Sequence, residues 1–130
     1  KKLEQQRKDD LNAAQLQVAK QSNELKLIQE MKTSGNFPIL KFSDSKNNNS
    51  FEINKPIMSF GRDKKNNDFH IENLNISKKH FIIEFKSSSY MILDNNSTNG
   101  MIINGYKLKS SPLKNGDVIE IADATFTFYL

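Results

Sequence analysis

At 130 residues the chain has room for one ordinary domain and an appendage, but not for two full cores. It holds no cysteine and only two histidines, His70 and His80, which excludes disulfide frameworks, thiolate chemistry and a cysteine- or histidine-rich metal centre. The formal charge of +4 is a small surplus, and the apolar runs fall far short of the ~20 residues of a membrane-spanning helix.

Residues 1–36 come first and have a helical texture. Up to residue 32 they lack glycine and proline and are rich in Gln, Lys, Glu, Leu and Ala. Leu11, Ala14, Val18, Gln21, Leu25 and Ile28 recur at spacings of three and four, an apolar stripe broken by one glutamine. The spacing predicts one long amphipathic helix, acting as a linker, a short coiled coil that self-associates, or a helix packed on the domain. Its good heptads fall below the three or four that define a coiled coil from sequence. Thr33-Ser34-Gly35-Asn36 closes it with a glycine suited to a C-cap. The lack of cysteine fits a cytoplasmic setting. The opening Lys1 leaves room for an upstream membrane tether, with no direct membrane contact expected of this fragment.

From residue 37 to 130 the texture changes to short β-branched and aromatic runs between turn signals. Candidate strands are 37–42, 50–53, 57–60, 69–71, 80–85, 90–93, 101–103, 107–108, 117–121 and 125–130. The last alternates, with Phe126, Phe128 and Leu130 on one face and Thr125, Thr127 and Tyr129 on the other. Strands this short and this regularly spaced indicate an all-β sandwich. Phe81, Ile83, Phe85, Phe126 and Phe128 read as core. Lys46-Asn47-Asn48-Asn49-Ser50 reads as a hairpin loop. Asn104-Gly105 and Asn115-Gly116 read as type I′ hairpin turns, whose two central positions need positive φ.

Five short pieces then fall in register: Gly61-Arg62, Asn67-Asp68, Ser77-Lys78-Lys79-His80, Ser97-Thr98-Asn99-Gly100 and Asn104-Gly105. Each is common alone. Together, on an all-β background, they resemble the signature of forkhead-associated (FHA) domains over residues 37–130. The resemblance implies an FHA-type β-sandwich of about eleven strands that binds a threonine-phosphorylated protein or peptide through loops at one end, with no cofactor and no metal. It implies that Arg62 binds the phosphate, Ser77 donates its hydroxyl to it and Lys78 adds a second cation. Thr98 would contact the phosphate or the threonine methyl, and Asn99 the peptide backbone. Gly61, His80 and Gly100 would hold the loops in shape. Met101 and Ile76 depart from residues common in the family at positions where the change matters little.

The chemistry is coherent without the family. Phosphothreonine brings about −1.5 to −2 charges and three acceptor oxygens. A guanidinium meets them with a planar fork, an ammonium with a point charge, and hydroxyl or amide donors fix orientation. Outside the motif the same residues have plainer readings: Arg62 and Lys78 as solvated cations, Ser77, Thr98 and Asn99 as turn formers. His80 with Ser77 lacks the third member and the oxyanion glycines of a hydrolase, so no enzyme is expected. A phosphate-independent scaffold is the alternative. Nucleic acid is not expected, because the basic surplus over 62–79 is slight and no motif accompanies it.

Overall fold

The computed structural model describes residues 24–130, and eleven strands organise them. In chain order they are β1 Ile39–Ser43, β2 Asn48–Glu52, β3 Ile57–Gly61, β4 Phe69–His70, β5 Phe81–Lys86, β6 Ser89–Asp94, β7 Ile102–Ile103, β8 Tyr106–Lys107, β9 Ser110–Leu113, β10 Val118–Ile121 and β11 Ala124–Tyr129. A six-stranded sheet runs β2-β1-β11-β10-β7-β8, and a five-stranded sheet runs β4-β3-β5-β6-β9. All pairings are antiparallel except β3 with β4. This is the sandwich that the strand pattern predicts.

Period-two patterning puts the core between the sheets. β11 buries Ala124, Phe126 and Phe128, while β5 buries Phe81, Ile83 and Phe85. Phe81 stacks on Phe60 at 4.8 Å within its own sheet and meets Phe126 of the other edge-on at 5.3 Å. Such pairs add to the area they bury, which is the main stabilising term for a sandwich of this size.

Several local expectations are corrected. β9 was not foreseen, because Ser110-Ser111-Pro112 lacks strand character. It lies at a sheet edge, where a proline is tolerated. Leu130 stands outside β11, half exposed. Asn48, Asn49 and Ser50 belong to β2, so the first hairpin loop falls earlier, at 44–47, where Asp44 accepts the Lys46 and Asn47 N–H groups. Asn104 and Gly105 both take positive φ, as a type I′ turn requires. At Asn115-Gly116 only the glycine does, and the turn links β9 to β10 across the two sheets rather than making a hairpin.

The described helix is short, 24–30, rather than the long one expected. Of the expected stripe, Leu25 and Ile28 lie in this helix, Leu25 exposed and Ile28 half-buried, while Leu11, Ala14, Val18 and Gln21, with most of the coiled-coil reading, fall on residues 1–23, outside the described residues. Gly35 is no helix cap: Ser34 and Gly35, both at positive φ, form a reverse turn closed by two Thr33–Asn36 backbone hydrogen bonds. Met31, just after the helix, is buried in the core, and its carbonyl accepts the Tyr90 hydroxyl at 2.8 Å. Among the described residues no helix is long and apolar enough to cross a membrane.

Candidate functional site

Three loops carry the residues singled out in the sequence: 62–68 after β3, 71–80 after β4, and 95–101 after β6. The first two run side by side. Arg62 N–H donates to the Ser77 carbonyl at 3.0 Å and Asp63 N–H to that of Lys78 at 3.1 Å. The Asn67 amide ties the pair again, donating to the Asp63 and Lys78 carbonyls at 2.7 and 2.6 Å. These bonds fix the backbone beneath two exposed cations, Arg62 and Lys78.

The third loop is stitched to the second. Ser77 Oγ accepts the Thr98 N–H at 3.0 Å, and the Asn99 amide donates to the Asn75 carbonyl at 2.7 Å. His80 lies under the junction, fully buried. Its Nδ1 accepts the Ser77 N–H at 3.0 Å, and its Nε2 lies 2.8 Å from the Gly100 carbonyl. An acceptor at Nδ1 and a carbonyl at Nε2 define the neutral Nε2–H tautomer. Gly100 takes φ +69, and Ser97 Oγ accepts its N–H while donating to Asp94.

Arg62, Ser77, Lys78, Thr98 and Asn99 therefore sit on three loops locked together, with Gly61, His80 and Gly100 at the seams. Asn104 and Gly105 lie apart from them. The Asn104 side chain bridges Asp117 and the Val118 N–H, pinning the β7–β8 turn to the strand beside it.

Three further elements brace this architecture; only Asp68 belonged to a sequence motif, and its role there was not foretold. Asp68 braces the middle of β3, accepting the Ser59 N–H at 2.8 Å, and pairs with Lys55 at 3.0 Å. Burial opposes its ionisation, but these donors outweigh that and hold its carboxyl below the usual range. The Asn66 amide and the Lys65 N–H do the same for Asp63. Beyond Arg62 a groove of about 860 Å³ opens between the 71–80 loop and the turns 44–47 and 122–123. There the Asn73 amide spans two carboxylates, Asp44 at 2.8 Å and Asp123 at 3.2 Å, and lowers the pKa of both.

The FHA domain model matches residues 58–122, half of the chain. Among solved structures, the FHA domain of the CT664 protein from Chlamydia trachomatis aligns with a TM-score of 0.66 at 24% identity, covering 72% of this chain and 96% of that one. The FHA domain of a hypothetical protein from Arabidopsis thaliana gives 0.62 at 28% identity, covering 72% and 86%. EmbR of Mycobacterium tuberculosis, solved with a low-affinity phosphopeptide, gives 0.63 at 25% identity, covering 91% of this chain and 31% of its own. No curated protein sequence matches the chain.

Proposed function

Since this chain belongs to the FHA-domain family, we propose that it is a phosphothreonine-dependent binding module, with residues 37–130 as the binding unit and a threonine-phosphorylated protein as partner. The observation that carries the reading is the Ser77–Thr98 junction, where one hydroxyl accepts the Thr98 N–H and keeps its own proton to offer outward. Arg62 and Lys78 stand on the neighbouring backbone as exposed cations, and Thr98 and Asn99 are exposed on the third loop, which is tied to the second through Ser77 and Asn75.

Each group then has a task. Arg62 takes two phosphate oxygens with its fork, Lys78 adds a point charge, and Ser77 donates a hydrogen bond. Thr98 packs near the threonine methyl and Asn99 bonds the peptide backbone. Because the loops are already tied to one another, little ordering cost falls on binding. EmbR, of similar fold, was solved with a phosphopeptide bound, which supports the reading. None of these roles involves making or breaking a covalent bond.

The test is retention of the full chain on a degenerate phosphothreonine peptide library, with unphosphorylated and phosphoserine libraries as controls. Selective retention of phosphothreonine peptides is expected. Equal retention of all three would move the function to a phosphate-independent scaffold.

A further inference from the structure

Each sheet alternates between a buried and an outer face, and the two outer faces differ in kind. On the six-stranded sheet the outward positions of β1, β2 and β11 hold Lys41, Ser43, Ser50, Thr125 and Thr127. The five-stranded sheet instead turns Ile82, Met91 and Leu93 outward, between the buried positions Phe81, Ile83 and Ile92. The register sets these side chains beside one another. Ile57, Glu84, Met91 and Pro112 form one row across β3, β5, β6 and β9, and Ser59, Ile82, Leu93 and Ser110 form the next. Ile57 is 57% exposed. Glu84 stands alone as a charge in this apolar field, and among the described residues it makes no ion pair. Scattered apolar side chains are ordinary on a surface, whereas a contiguous field marks an interface.

The chain carries its own complement to this face. In sequence, Arg7, Leu11, Ala14 and Val18 recur at spacings of four, three and four, the pattern of one helical face. As helix, residues 7–18 would reach about 18 Å, and the four strands together span about 14 Å. Ser22 and Asn23, types that favour helix N-caps, separate this stretch from the helix 24–30. The described chain begins at the margin of the same sheet. Met31, just past that helix, is held by the Tyr90 hydroxyl, and Tyr90 is the β6 neighbour of Met91. A second copy packed on this face is the poorer occupant, because it would press two Glu84 carboxylates together without a cation.

We infer that the outer face of the five-stranded sheet is the docking surface for residues 7–18 of the same chain. Leu11, Ala14 and Val18 lie on Ile82, Met91 and Leu93, and Arg7 is set against Glu84. Covering apolar surface on both sides favours the arrangement in proportion to its area. The short tether keeps the local concentration of the segment high. The face forms the flank of the sandwich, whereas the loops with Arg62, Ser77 and Thr98 lie at its end, so docking leaves the proposed phosphate site open. The inference is therefore independent of the phosphothreonine reading.

The chain has no cysteine, so engineered pairs report proximity directly. Val18→Cys is combined in turn with Ile82→Cys, Met91→Cys and Leu93→Cys in the full chain. Thr127→Cys, on the outer face of the opposite sheet, replaces the second member as control. Under mild oxidation at high dilution, at least one of the three pairs should close a disulfide within one chain about tenfold faster than the control. Equal closure in the control, closure only between chains, or no closure in any pair overturns the inference. Hydrogen exchange gives a second reading without cysteines. Glu84→Arg sets a cation against Arg7, and amides over residues 9–18 should exchange about tenfold faster, while β11 keeps its protection. Exchange over 9–18 that does not respond to Glu84→Arg overturns it as well.

Discussion

Gly61 lies so close to the carbonyl of Lys78 that a Cβ on it would stand 2.2 Å from the oxygen. Its φ is not positive, so the demand is for space and not for backbone freedom. The oxygen cannot retreat without breaking its bonds to Asp63 N–H and the Asn67 amide. Gly61→Ala therefore drives apart the two loops that bear Arg62 and Lys78. We expect a loss of about 2–3 kcal/mol of stability, as for overpacking elsewhere, together with phosphopeptide binding. Denaturant unfolding and a binding titration on the same protein check both. An alanine variant as stable as its parent would mean that the loops separate at no cost.

Arg62 presents the opposite case. Its backbone holds the loop through the N–H bond to Ser77, while its side chain is exposed. Arg62→Ala should change stability by less than about 0.5 kcal/mol and weaken phosphopeptide binding about 100-fold or more, the scale of a lost charge-assisted pair. Arg62→Lys keeps the charge without the fork and should fall between the two. Calorimetric titration beside a thermal melt separates binding from folding. Parent-like binding by the alanine variant would move the phosphate away from Arg62.

These positions were legible because motif residues stand next to each other in sequence. The braces around them were not. Asn73 finds Asp44 29 residues back and Asp123 50 residues ahead, and nothing local in Glu72-Asn73-Leu74-Asn75 announces either. The strand pattern was readable where one face is buried, as in β5 and β11. It failed at β9, an edge strand that owes its place to pairing with β6 rather than to its own residues. Ser87 and Ser88 both take positive φ in the tight β5–β6 hairpin although neither is the usual glycine or asparagine, so that turn carried no signal. Asn104-Gly105 and Asn115-Gly116 are identical pairs with different outcomes, since a turn dipeptide does not say whether its flanks join the same sheet.

His80 is the buried counterpart of the exposed site. Its ring satisfies the Ser77 N–H and faces the Gly100 carbonyl, so it joins the 71–80 loop to the 95–101 loop from below. His80→Ala leaves a partly buried donor, a partly buried acceptor and a cavity where the imidazole was, and should cost about 3 kcal/mol. Ser77→Ala removes one acceptor at the surface and should cost about 1 kcal/mol, while freeing the Thr98 N–H to exchange. Chemical denaturation ranks the two, and amide exchange at Thr98 reports the Ser77 bond. Equal destabilisation by the two variants would contradict the buried bridging position of the imidazole.

Tyr90 ties the segment before β1 to the sandwich, and pH exposes that tie. Its hydroxyl donates to the Met31 carbonyl at 2.8 Å, and its ring packs on Phe85 and Phe128. Burial pushes the phenol up to about 12 from its ordinary value of 10.0. The folded state therefore holds the proton more tightly than the unfolded one. That contribution to stability is complete below the unfolded value and drains away as pH rises from about 10 towards 12. Tyr90→Phe keeps the ring contacts and removes only the hydroxyl, which leaves the Met31 carbonyl unpaired and should cost about 1–2 kcal/mol at neutral pH. Denaturation midpoints of parent and variant at about pH 8 and about pH 11 isolate the phenol, because lysine titration is common to both proteins. The gap between them should narrow at the higher pH. A gap that stays constant would mean that the phenol is not held neutral against Met31.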